Sequence, residues 1–411
     1  MKIVRCVFVP IKTGFFVDDQ MAIRSGAPHD GFLYVGSPVT KSFKAIREPG
    51  EAVSILLELS DGQIAVGDCA TVQYAAVGGR ESVLRSGEAC EVLQDAVAPW
   101  LKDLDITTFR DLSSRAESLR IHGKELHVAL QYGLSQALLD AVAKSKHQTM
   151  AEVVREEYAT NSQLKARPMF VQCGDDRYHN VDKMILKQVG VLPHGLVNNV
   201  ATKFGADGEI FKEYVSWVRN RVINVRANEQ YNPVLHFDLY GSAGEAFNSD
   251  VEKVADYLNM IGQIASPFEI RIEHPIDAGS RDNQIKVMSS LRIALAARKS
   301  RVQLVVDEWC NTLEDIRLFV EAKAADVIHV KTPDLGGVNN TIEALLLVRA
   351  SGLSAYCGGT CNETERSAQV SAHIAMACDV VQVLAKPGMG VDEGLMIVGN
   401  EMARVEALTQ S

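Results

Sequence analysis

From about residue 167 onward, short apolar runs alternate with longer amphipathic stretches, and this rhythm constrains the fold more than any other feature of the chain. The runs are 168–172, 234–239, 268–273, 303–308, 328–331, 353–357 and 380–384. Between them, 210–226, 251–264, 284–297, 312–324 and 339–350 carry apolar residues at helical spacing. Strand alternating with helix predicts a parallel sheet. Repeated over roughly 240 residues, it predicts a (β/α)8-type barrel in preference to an open doubly wound sheet. No GxGxxG opens a helix after the first run, which weakens the dinucleotide-binding alternative. Residues 190–200 read equally well as strand or loop.

Residues 1–165 follow a different pattern and read as an α+β domain, with 166–411 as the barrel. Runs 53–59 and 63–69 flank Ser60-Asp61-Gly62, a hairpin signal. Helices are expected from about 81 to 101 and from 124 to 143, and the first strand is expected to end at Pro10. Glycine-rich stretches at 26–36 and 75–79 read as loops with mobility. Asp and Glu outnumber Lys and Arg by 52 to 42, a formal charge of −10, with no basic block, so a nucleic-acid partner is not expected. No run of eighteen apolar residues is present, so no membrane span is expected either. Eight cysteines without a CxxC pair read as reduced thiols of a cytoplasmic enzyme.

In such a barrel, chemistry sits at the C-terminal ends of the strands. His-Phe-Asp ends at Asp238, Arg-Ile-Glu at Glu273, Val-Val-Asp at Asp307 and His-Val-Lys at Lys331. The spacing fits one βα unit per step, so three consecutive strands direct carboxylates into one space and the next adds an ammonium. Unpaired, the carboxylates repel and their pKa values rise. An all-oxygen set suits Mg²⁺, or alternatively Mn²⁺, better than zinc. A lone strand-end Asp is more often a helix cap, and Lys331 could simply pair with Asp307. The run of three followed by a lysine favours a metal. Beside a cation, Lys331 is expected to have a depressed pKa and to act as a general base α to a carboxylate.

At these residues the chain resembles the methylaspartate ammonia-lyase family of the enolase superfamily, nearly end to end. The resemblance includes FVDDQMAIRSGAPHDGFLYVGSPVT, GDCATVQYAAVGGR, QCGDDRYHNVDKMI, VDEWCNT, KTPDLGGVNN, YCGGTCNET and VLAKPGMGVDEGLMIV. It implies an α+β capping domain on a modified TIM barrel, a homodimer, Mg²⁺ and a monovalent activator such as K⁺. It further implies metal ligation by Asp238, Glu273 and Asp307, and Lys331 as the base that removes the C3 proton of L-threo-3-methylaspartate, giving mesaconate and ammonia. His194 matches the histidine on the opposite face of the substrate. Gln172, Thr360 and Cys361 match substrate-binding positions, and Gln73 and Leu384 match the walls around the amino group and alkyl substituent.

Gln172 ends a strand and offers amide donors, and the glycines of CGGTC would let backbone N–H groups approach an anion. Zinc at Cys357 and Cys361 is disfavoured for want of further ligands. Two positions leave the family pattern. His329 stands where a glutamine touching the substrate carboxylate is usual, and His274 stands where glycine usually follows the glutamate ligand. The alternatives are another enolase-superfamily reaction, racemisation or dehydration, and a catalytically silent binding protein on the same fold.

Overall fold

Eight short parallel strands close into a barrel in the second part of the computed structural model, which describes residues 1–121 and 123–410. In chain order they are Met169–Val171, Val191–His194, Val234–Asp238, Ile270–Glu273, Val302–Val306, Val327–Val330, Ser354–Cys357 and Gln382–Ala385, with the eighth pairing back to the first. A helix follows each, as the alternating pattern predicts. Residues 251–264 form a helix with the expected bounds, and 190–200 contain the second strand. Several helices begin where a side chain satisfies a free N–H: Asp250, Ser280, Thr312 and Thr364 each accept a bond from the first turn. Phe170, Val191, Val305, Val327, Tyr356 and Leu384 fill one layer of the core. Each such side chain contributes about 1.5–3 kcal/mol by leaving water.

The N-terminal part is built on a three-stranded antiparallel sheet, with Arg47–Leu59 between Ile3–Asp18 and Ile64–Cys69. The expected hairpin across 60–62 is present. Pro10 does not end the first strand: it lies inside it, paired with Val53. The reason is position, because this strand is an edge and proline's missing N–H is tolerated there. The helix expected over 81–101 starts at Ser86 and passes through a π turn at Leu93–Val97 before ending at Leu101. The helix expected from 124 starts at Val128, capped by His127. Residues 26–36 include a short antiparallel pair, 29–30 with 33–34. No helix among the described residues is long and apolar enough to cross a membrane.

Candidate active site

One cavity opens at the C-terminal end of the barrel, under the N-terminal domain. Gln172 and His194 reach it from the first and second strands, and Asp238, Glu273 and Asp307 from the next three. Lys331 and His329 come from the sixth strand, and Thr360 and Cys361 from the loop after the seventh. The N-terminal domain adds Gln73, Tyr74 and Arg80. Leu384 is the one expected site residue outside this wall. It packs in register with Phe170 and in the same core cluster as Phe170 and Tyr356, which do line the cavity.

Strand order fixes the layout. The second and sixth strands are four apart on a ring of eight, so His194 and Lys331 face each other across the barrel. Asp238, Glu273 and Asp307 occupy the arc between them. Gln172, Thr360 and Cys361 occupy the other arc.

Ligand atoms of Glu273, Asp307 and His329 lie within 4.8 Å of one another. Asp238 sits beside Glu273 in register but outside that tightest group. Asp307 Oδ1 is buried without a hydrogen bond among the described residues, although His329 Nδ1 lies 3.2 Å away. An orphaned carboxylate oxygen beside two further buried carboxylates fits a divalent cation.

The expected rise in carboxylate pKa holds for Asp238, which burial and the neighbouring Glu273 push up. It fails for Glu273. Burial opposes its ionisation, but two imidazoles hold it well below the usual range. His329 Nδ1 lies 2.8 Å from Oε1, and His236 Nε2 lies 2.8 Å from Oε2. Gly359 N–H donates to His329 Nε2 (3.3 Å), which assigns the ring proton to Nδ1. Gln382 Nε2 donates to His236 Nδ1 (3.0 Å), while Arg271 holds the Gln382 oxygen, which assigns the other ring proton to Nε2. Each carboxylate oxygen keeps a second lone pair for a cation.

Lys331 takes up the pairing with Asp307 that the sequence also allows. Burial disfavours its charge, yet Asp307 and Glu308 raise its pKa above the usual lysine value. Its Nζ donates to Asp307 Oδ2 at 2.9 Å and lies 4.0 Å from Glu308. His194 is buried, 3.6 Å from Asp238 Oδ2, and against the cost of burial this carboxylate favours its imidazolium.

Further residues shape this site through contacts that the sequence does not spell out. Arg80 donates through Nε to Asp334 and through Nη2 to Glu308, both at 2.8 Å, tying the 75–80 loop to the barrel behind Lys331. The glycines of CGGTC answer to packing: a Cβ on Gly358 would overlap the imidazole of His329. His274 is buried and outside the cavity wall, with a left-handed φ of 43°. Glycine would be unstrained there, and histidine gives up about 1 kcal/mol.

A capped eight-stranded barrel, with carboxylates on consecutive strand ends and a lysine on the next, has the architecture of the enolase superfamily. At 15% identity, muconate lactonizing enzyme from Pseudomonas putida shares the fold, with a TM-score of 0.61 over 92% of this chain and 85% of that one. The family described as methylaspartate ammonia-lyase matches residues 1–159 with its N-terminus and 161–411 with its C-terminus. Methylaspartate ammonia-lyase of Clostridium tetanomorphum is 51% identical over 99% of both chains, and that of Citrobacter amalonaticus 45% over 100% of both. A Mg-complex crystal structure of the Clostridium enzyme superposes with a TM-score of 0.96 at 50% identity, covering 100% of this chain and 99% of that one. The Citrobacter enzyme containing (2S,3S)-3-methylaspartic acid gives 0.99 at 45% identity, covering both chains fully. The chain belongs to the methylaspartate ammonia-lyase family, and is a carbon–nitrogen lyase.

Proposed function

We propose that the protein eliminates ammonia from L-threo-3-methylaspartate to give mesaconate. The observation that carries this reading is the placement of Lys331 and His194 on opposite sides of one cavity, with a carboxylate arc on one flank and neutral hydrogen-bonding groups on the other. Lys331 takes the C3 proton on its face of the substrate, and the C2–N bond breaks as the C2–C3 double bond forms. His194 serves the other face, stabilising charge or removing the proton of the opposite C3 epimer. Gln172, Thr360 and Cys361 hold the polar end of the substrate. Gln73 faces the amino group, and Leu384 supports the floor beneath the alkyl substituent.

Asp238, Glu273 and Asp307 would hold Mg²⁺, with Mn²⁺ as a substitute. When bound, the cation supplies positive charge to the substrate carboxylate as it gains enediolate character, and weakens the hold of Asp307 on Lys331. The enzyme works as a cytoplasmic homodimer with K⁺ as activator. Mesaconate absorbance, followed after 3-methylaspartate is added with Mg²⁺ and K⁺, tests the reading. Racemised or exchanged substrate without mesaconate would replace it with another reaction of the superfamily.

A further inference from the structure

Beneath the loop after the seventh strand lies an ion pair that the proposed reaction does not use. Lys386 and Glu363 are both fully buried, and Lys386 Nζ donates to Glu363 Oε1 at 2.8 Å. Its other two protons go to Gly358 O and Thr332 Oγ1, each at 2.9 Å, so all three donors are satisfied. Glu363 Oε1 also accepts the backbone N–H of Thr360 (3.1 Å), and Oε2 accepts the hydroxyl of Tyr132 (2.9 Å). Tyr132 belongs to Val128–Ser145, the long helix of the N-terminal domain. No side chain fits over the pair: a Cβ on Gly359, whose φ is +144°, would overlap both Glu363 Oε1 and Lys386 Nζ.

Burying two charges is a weak source of stability, because a well-packed apolar pair commonly does as well. What this pair does is directional. One carboxylate oxygen fixes the Thr360 amide, one ammonium fixes the Gly358 carbonyl, and Thr360 and Cys361 of the same loop line the cavity. The N-terminal domain meets the same loop from above, where Gln73 N–H donates to Thr360 Oγ1 (3.3 Å) and Cys361 Sγ to Gln73 Oε1 (3.4 Å).

We infer that Lys386 and Glu363, tied to Tyr132, are positioning residues that set Thr360 and Cys361 against the substrate and couple that setting to the seating of the N-terminal domain. The inference rests on the substrate-binding roles proposed above for Thr360 and Cys361.

The test uses the full-length protein with Mg²⁺. Lys386→Met alone strands a buried carboxylate and should lower Tm sharply, whereas Lys386→Met/Glu363→Leu removes both charges and should regain most of it. The double variant should nevertheless show KM for 3-methylaspartate raised about tenfold or more with a smaller change in kcat, and unchanged Mg²⁺ affinity. Tyr132→Phe, which deletes one hydroxyl, should raise KM in the same direction and speed amide exchange over 358–363. A stable double variant with wild-type KM would overturn the inference. If the double variant fails to fold, Tyr132→Phe with unchanged KM and unchanged exchange would do so. Exchange needs no substrate, so it separates this inference from the proposed reaction, which fails instead if the wild-type protein forms no mesaconate.

Discussion

Arg80→Met keeps the aliphatic stem of the side chain and deletes the guanidinium that joins the N-terminal domain to the barrel. Three charge-assisted hydrogen bonds are lost, to Asp334, Glu308 and Asn311. Breaking a buried pair by removing one partner costs about 3–5 kcal/mol. Asp334 is only 5% exposed, but Glu308 is 24% exposed and recovers part of its share from water, so the lower end applies, about 3 kcal/mol. If that loss falls on the closed arrangement of loop and barrel needed in the transition state, kcat/KM drops on the order of 100-fold. A second effect has a definite sign. Lys331 is raised by Asp307 and Glu308 against burial, and Arg80 pulls it the other way. Without Arg80 the Lys331 pKa rises further, so the acid limb of kcat/KM, which reports the neutral amine, moves to higher pH. Mesaconate formation, followed from neutral to alkaline pH, measures both effects. Arg80→Lys restores charge without the two-pronged geometry and should return the limb with only part of the rate. An Arg80→Met enzyme with an unmoved limb and less than about a tenfold loss in kcat/KM would refute the reasoning.

Asp238→Asn, Glu273→Gln and Asp307→Asn should each weaken Mg²⁺ binding in calorimetry and nearly abolish turnover; two of them with unchanged metal affinity would break the shared site. Asp307→Asn should in addition lower the Lys331 pKa, since its principal anionic neighbour is gone. Lys331→Ala should lose most deamination of the threo substrate, and His194→Ala mainly the reaction or exchange of the erythro epimer. Equal losses on both epimers in both variants would count against opposed faces. His329→Gln keeps an amide donor for Glu273 but loses the ring stacked 4.2 Å from Tyr356, so it should alter KM while costing no more than about 1–2 kcal/mol in stability. Unchanged KM would place His329 outside the reaction.

The three strand-end carboxylates and Lys331 are legible in the sequence because charge is rare at the end of an apolar run, and four such ends in a row seldom arise from helix caps or isolated salt bridges. The second strand is not legible. Val-Leu-Pro-His-Gly carries a proline and a glycine in a short run, and only closure of the ring requires a strand there. His236 and Arg271 escape a reading that looks only at strand ends, although the sequence holds a signal for both. Each lies two residues before a strand-end carboxylate, so alternation along a strand places them on the same inward face as Asp238 and Glu273. Arg80 closes the GDCATVQYAAVGGR stretch, but its role is not legible there, because its partners are more than 200 residues away and its loop reads as flexible from its glycines. The strength of the Lys331–Asp307 pairing is not legible for a related reason. Strand spacing brings the lysine and Asp307 into one site, but the strength of their mutual attraction depends on what else shares that carboxylate.

Pro10 carries a consequence for the behaviour of the protein in concentrated solution. The strand Ile3–Asp18 is sixteen residues long and forms an open side of its sheet, with Val4, Val7 and Val9 47%, 37% and 37% exposed. A long apolar strand margin is a template on which another chain can add its own backbone, the first step of many aggregates. Pro10 leaves a gap in the row of donors halfway along that margin, and Arg5 and Lys12 add charges on either side of it. An incoming strand would have to bury those charges and forgo a hydrogen bond at the proline. The residue that a strand-reading rule treats as a stop is here a guard against unwanted self-association.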